Sequence, residues 1–97
     1  MHFVVTAYDF KDGDTINRRL TMRDKHLGGL RGLADNGHFL SGGAILDKEG
    51  KMIGSTAHVS FESRDALDEW VKNDPYVTGR VWDHIDVREV ALFPVSD

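Results

Sequence analysis

Residues 38–61 read His38-Phe39-Leu40-Ser41-Gly42-Gly43-Ala44-Ile45-Leu46-Asp47-Lys48-Glu49-Gly50-Lys51-Met52-Ile53-Gly54-Ser55-Thr56-Ala57-His58-Val59-Ser60-Phe61, a hairpin pattern of two strands about a tight turn. Two strand-like segments, 38–46 and 51–61, are joined by Asp47-Lys48-Glu49-Gly50, a short hairpin turn in which Gly50 can take positive φ. The second segment alternates: Ile53, Ser55, Ala57, Val59 and Phe61 suit packing under helices, while Met52, Gly54, Thr56, His58 and Ser60 face the other way. The first segment is interrupted by Gly42-Gly43, and glycines inside a strand mark a bulge or a close approach.

Working outward, the segment before the hairpin predicts a long helix. Asp12-Gly13-Asp14-Thr15 supplies a turn and an N-cap at Asp14 or Thr15. Ile16, Leu20, Leu27, Leu30, Leu33 and Ala34 recur at helical spacing up to the left-handed stop signal Asn36-Gly37. Residues 2–8 precede it as a strand, with Phe3, Val5 and Ala7 on one side and His2, Val4, Thr6 and Tyr8 on the other. After the hairpin, Ser63 caps a second helix with Ala66, Leu67, Trp70 and Val71 on its apolar face. Asn73-Asp74-Pro75-Tyr76 ends it, because a residue before proline is pushed out of helical geometry. A single helical turn and a last strand, from about Trp82 to Phe93, complete the chain. That last strand sets His84, Asp86 and Arg88 opposite Ile85 and Val87.

The predicted class is therefore α+β, a ferredoxin-like β-α-β-β-α-β domain spanning residues 1–97. Two helices cover one face of a four-stranded antiparallel sheet. The other face mixes small, aromatic and polar groups, which suits a sheet packed on its twin around a partly polar cavity. A homodimer also adds buried area to a small domain that has no disulfide.

Composition narrows the function classes. With no cysteine there is no disulfide, thiolate nucleophile or thiolate metal site. Net charge is −4, and the tightest basic group, Arg18, Arg19, Arg23, Lys25 and Arg31, is interleaved with Asp24, a poor footprint for nucleic acid. No apolar run reaches the roughly 18–20 residues of a membrane span, and the N-terminus reads straight into a strand, so a soluble cytoplasmic protein is expected. The five histidines, His2, His26, His38, His58 and His84, lack close metal-ligand spacing, and no metal or cofactor is expected.

The first helix carries an anomaly. At about 100° per residue its apolar stripe centres between Leu27 and Leu30, yet Arg19, Arg23 and His26 fall inside that arc. Periodicity alone makes His26 a core-edge histidine bonded to a carbonyl, and the arginines side chains that snorkel to water. Gly28, Gly29 and Gly32 each cost about 1 kcal/mol relative to Ala, which implies close backbone approach there. Asp74 reads first as the N-cap of the short turn that follows, though both helices share a sheet face and a carboxylate there can reach the first helix.

The chain resembles the YciI-like (YCII-related) family of small dimeric α/β-barrel proteins along nearly its whole length. The resemblance rests on Arg23-Asp24-Lys25-His26, Gly37-His38-Phe39-Leu40 leading into Ser41-Gly42-Gly43, Gly54-Ser55, and Asn73-Asp74-Pro75-Tyr76. It implies a face-to-face dimer and an active site built on a His–Asp pair, here His26 and Asp74. Beside what the resemblance implies, Arg23, Ser41 and Tyr76 are expected to contact the substrate. One departure stands at Gly42-Gly43-Ala44, where relatives carry an Ala-Gly-Pro-like stretch.

A carboxylate bonded to one imidazole nitrogen fixes the tautomer and leaves the other nitrogen to take or give a proton near neutral pH. The resulting expectation is a cofactor-free acid–base enzyme of isomerase, lyase or hydrolase type acting on a small oxygenated organic molecule. Its rival is a dimeric module that binds a small ligand or a partner without turnover. A cofactor-free oxygenase or a haem-associated enzyme of the same barrel architecture is a third reading.

Overall fold

A computed structural model describes residues 1–94. The elements run β1 (His2–Asp9), α1 (Thr15–Asp35), β2 (Phe39–Leu46), β3 (Met52–Ser60), α2 (Arg64–Asn73), α3 (Pro75–Thr78) and β4 (Trp82–Val90). The strands form one antiparallel sheet in the order β2-β3-β1-β4. The ferredoxin-like order expected from the hairpin and its flanks is present.

Register explains which face is covered. Phe3 pairs with Val59, Val5 with Ala57 and Val87, and Ala7 with Ser55 and Ile85, which places one apolar row across three strands. Phe3, Val5 and Val59 close with Leu67 of α2 and Phe61 into the main core, and Ala7, Tyr76, Val81 and Trp82 form a second cluster. Burying a Leu, Val or Phe side chain contributes about 1.5–3 kcal/mol, so these few residues carry much of the fold.

The termini of the elements follow local chemistry. Gly37 and Gly50 take φ of 78° and 81°, the left-handed values their turns require. Ser63 accepts the Ala66 N–H at 3.1 Å, with Asp65 in the first turn of α2 and Lys72 in its last, both favourable to the helix dipole. β4 ends at Val90 and not at Phe93, because among the described residues its partner β1 begins at His2, opposite Val90.

Two further expectations about α1 are corrected. Leu20 points away from the sheet and is exposed. Gly28, Gly29 and Gly32 approach nothing: among the described residues a Cβ at any of them would meet no heavy atom within 4 Å. The close approaches lie elsewhere. A Cβ on Gly42 would come within 2.5 Å of the Thr56 carbonyl oxygen, and one on Gly79 within 2.6 Å of Met22 Cγ, where α3 lies against α1.

Candidate active site

The side chains that α1 buries are Thr15, Arg19 and His26. α1 meets the sheet through a mixed face, and a cavity of about 390 Å³ is bordered by Val5, Phe39 and Ala57 of the strands and by Arg19, Arg23, His26, Leu27 and Leu30 of the helix. The anomalous arc of α1 is thereby accounted for, since it faces a cavity and not a packed core. The cavity lies on the helix-covered face, whereas the mixed opposite face was where sequence alone had suggested one.

His26 and Asp74 meet across the two helices that cover this face. His26 Nδ1 lies 2.8 and 2.9 Å from the two Asp74 carboxylate oxygens, and both residues are almost fully buried, at 6% and 3% exposure. A carboxylate only accepts, so Nδ1 carries the hydrogen of this bond, and Nε2 is the ring nitrogen that Asp74 does not engage. Asp74 also accepts the Tyr76 backbone N–H at 2.9 Å, with Pro75 in the first turn of α3. Both sequence readings of Asp74 hold together: it caps α3 and, with the same carboxylate, grips His26.

Tyr76 completes the wall. Its ring stacks on His26 at 3.8 Å and 10°, and the Arg19 guanidinium sits over the same ring at 4.7 Å. Trp82 meets both His26 and Tyr76 edge-on. Such stacking adds roughly 0.5–1.5 kcal/mol per aromatic pair and locks the imidazole plane. Burial pushes the Tyr76 phenol above its ordinary value, with Arg19 and Arg23 pulling partly the other way, so at neutral pH it is a hydrogen-bond donor.

Arg19 does not snorkel. It is 3% exposed, with Nε and Nη2 on the two oxygens of Asp9 at 2.8 and 3.0 Å. Nη2 also donates to the Gly54 carbonyl at 2.9 Å and the Ser55 hydroxyl at 2.8 Å, and Ser55 in turn accepts the Trp82 indole N–H at 3.1 Å. The bidentate pair satisfies both buried charges, and breaking such a pair costs about 3–5 kcal/mol. Sequence reasoning missed Asp9, Ser55 and Trp82 as supports. The signal for Asp9 was an acidic residue closing the first strand; Ser55 stood in the Gly54-Ser55 motif of the resemblance without a role, and Trp82 carried none.

The remaining candidates divide. Arg23 borders the cavity with an exposed side chain. Ser41 is not brought to it. Between Phe39 and Ser41 the β2–β3 register shifts by one residue, because Leu40 is inserted as a bulge. That insertion sends Ser41 to the uncovered face, where its hydroxyl lies 3.1 Å from His58 Nδ1, and turns Gly42 toward the cavity. Among the described residues no group of three or more His, Asp or Glu side chains is placed to hold a metal ion. No helix among them is long and apolar enough to cross a membrane.

Fold and site together define a ferredoxin-like α+β protein with a buried histidine–carboxylate pair on the wall of a cavity. Residues 1–91 match the YCII-related domain, and the chain belongs to that family. It is 33% identical over 94 residues to Protein YciI of Escherichia coli O6:H1, covering 91% of this chain and 94% of that protein, and equally to a protein of Haemophilus influenzae over the same shares. Among solved structures it is similar to 5-chloro-2-hydroxyhydroquinone dehydrochlorinase (TftG) from Burkholderia phenoliruptrix in complex with 2,5-dihydroxybenzoquinone, with a TM-score of 0.81, 24% identity and 94% of each chain covered. A more distant likeness is to an antibiotic biosynthesis monooxygenase, with a TM-score of 0.55, 16% identity, and 97% and 100% of the two chains covered.

Proposed function

We propose that the protein is a cofactor-independent proton-transfer enzyme acting on a small oxygenated aromatic or enolic molecule. The observation that carries the reading is the bond from His26 Nδ1 to Asp74, which leaves Nε2 as the ring nitrogen without that partner in a side chain that borders the cavity. In the proposed step Nε2 takes a proton from a hydroxyl or an acidic C–H of the substrate. The imidazolium so formed is balanced by Asp74, and the electron pair left behind becomes an oxyanion. Tyr76, held as a neutral phenol, and Arg23 are the donors suited to that oxyanion. Return of the proton at another atom gives isomerisation; departure of a leaving group with its electron pair gives elimination. Neither outcome needs an oxidant or a reductant. Likeness to a dehydrochlorinase of a hydroxylated hydroquinone supports this substrate class for the first trial.

We also place a second copy of the chain on the uncovered sheet face, where Tyr8 remains 45% exposed beside polar neighbours such as Thr6 and His84. Light scattering on the purified protein reads the assembly directly, and a monomeric mass at micromolar concentration rejects this dimer.

The catalytic reading is tested by incubating polyhydroxylated aromatics, including 5-chloro-2-hydroxyhydroquinone, in deuterated buffer and following ring protons by NMR and chloride release. The expected result is protein-dependent exchange or chloride release that falls by about 10²-fold or more in His26→Gln. Rates equal to buffer, or unchanged in the variant, overturn the reading. Binding without either reaction would leave a non-catalytic ligand-binding module.

A further inference from the structure

α1 carries three arginines along the cavity, and they are not equivalent. Arg19 is neutralised by Asp9, as described. Arg23 and Arg31 also border the cavity, yet among the described residues neither has a carboxylate within ion-pair distance, not even Asp35, which follows Arg31 by one helical turn. No Asp or Glu side chain borders the cavity at all among the described residues. In a chain of net charge −4 this makes the cavity a local site of positive charge.

Position separates their tasks. Arg23 precedes His26 by three residues and so stands one turn from the reacting nitrogen. Arg31 lies eight residues beyond Arg23, about 12 Å further along the axis and about 80° round it, and still borders the same cavity. It sits toward the end where the chain turns into Phe39, and Leu27 and Leu30 border the stretch between. A molecule lying along α1 with its reactive oxygen at His26 therefore presents its far end, across an apolar middle, to an unpaired guanidinium.

The geometry points to a substrate that is an organic acid: a planar hydroxylated ring or enol at the His26 end and a carboxylate at the far end, gripped by Arg31. This assignment rests on the proposed reading of His26 for its orientation, and on the unpaired arginines for its charge. Guanidinium holds carboxylate through two parallel N–H donors, and a charge-assisted contact of this kind is worth about tenfold or more in affinity.

The test uses two probes that differ only in the acid group, gentisate (2,5-dihydroxybenzoate) and hydroquinone, titrated calorimetrically into the whole protein, Arg31→Gln, and Arg64→Gln as a control outside the cavity. Wild type is expected to prefer gentisate by at least about tenfold, with the preference shrinking as salt rises. Arg31→Gln should bring that ratio close to one, whereas Arg64→Gln should keep it. A ratio near one in wild type, a ratio unaltered in Arg31→Gln, or gentisate binding too weak to saturate overturns the assignment. Carboxylate preference that depends on Arg31 without His26-dependent proton exchange would retain the acid site and reject the catalytic reading. Exchange of neutral hydroquinones without any acid preference would do the reverse.

Discussion

Asp74 accepts from two elements at once, the His26 ring on α1 and the Tyr76 backbone N–H at the start of α3. The two roles can be separated by substitution. Asp74→Asn keeps an acceptor for the cap but offers the imidazole an amide that also donates, so activity should fall by about 10²-fold or more while stability falls little. Asp74→Ala removes both bonds and strands a buried imidazole N–H, costing about 2–4 kcal/mol in urea denaturation. Equal stability of the two variants would contradict the double role. Tyr76 makes a second residue-scale prediction. Burial raises its phenol above the ordinary value of about 10, so the folded state favours the neutral form. The stability this represents is complete below the unfolded value and is lost as pH rises through the folded one. An ultraviolet difference titration should show a late tyrosine component that disappears in Tyr76→Phe.

At the scale of elements, the glycines of β2 and α1 behave oppositely. Gly42 faces the Thr56 carbonyl, the Phe39 ring and the Ala57 backbone so closely that Gly42→Ala must shift the edge strand, at a cost of about 1–3 kcal/mol. Gly28→Ala and Gly32→Ala meet open space and should each raise stability by about 0.5–1 kcal/mol in chemical denaturation. The helix glycines looked like contact points in the sequence because a helix interior penalises them; only the three-dimensional neighbourhood shows that nothing among the described residues needs the room. The bulge at Leu40 was equally hidden. Gly42-Gly43 announced an irregularity in β2, but alternation cannot say which residue is inserted, and one residue is enough to carry Ser41 from the cavity side to the opposite face.

Over the whole molecule, element order and sheet face were legible because turns and alternation are local signals: Gly37, Gly50, Ser63 and the residue before Pro75 each act as read. The His26–Asp74 contact joins residues 48 apart, and motif resemblance, not periodicity, suggested it. The Arg19–Asp9 pair was misread because an arginine in an apolar arc looks the same whether it reaches water or a buried carboxylate. Charge is distributed so that acid weakens the fold. Arg18 beside Asp12 holds that carboxyl well below the usual range, backbone N–H groups lower Asp47, and Lys72 lowers Glu69. With folded values below unfolded ones, the unfolded chain binds more protons in acid, so this stability is present above the ordinary carboxylate values and is lost as pH falls below them. The urea midpoint should drop between pH 7 and pH 3, and more shallowly in Asp12→Asn; an unchanged slope would contradict the Arg18 pairing.

Asp74 holds His26 through Nδ1, and the proposed chemistry needs Nε2 open to a ligand in the cavity. A two-bond proton–nitrogen NMR spectrum of nitrogen-15-labelled protein, recorded with and without 2,5-dihydroxybenzoquinone and assigned through His26→Gln, reads that nitrogen directly. The expected result is the Nδ1–H tautomer in the free protein and a shift of the His26 Nε2 resonance when ligand is added. An Nε2–H tautomer, or a resonance that ligand leaves in place, would contradict it.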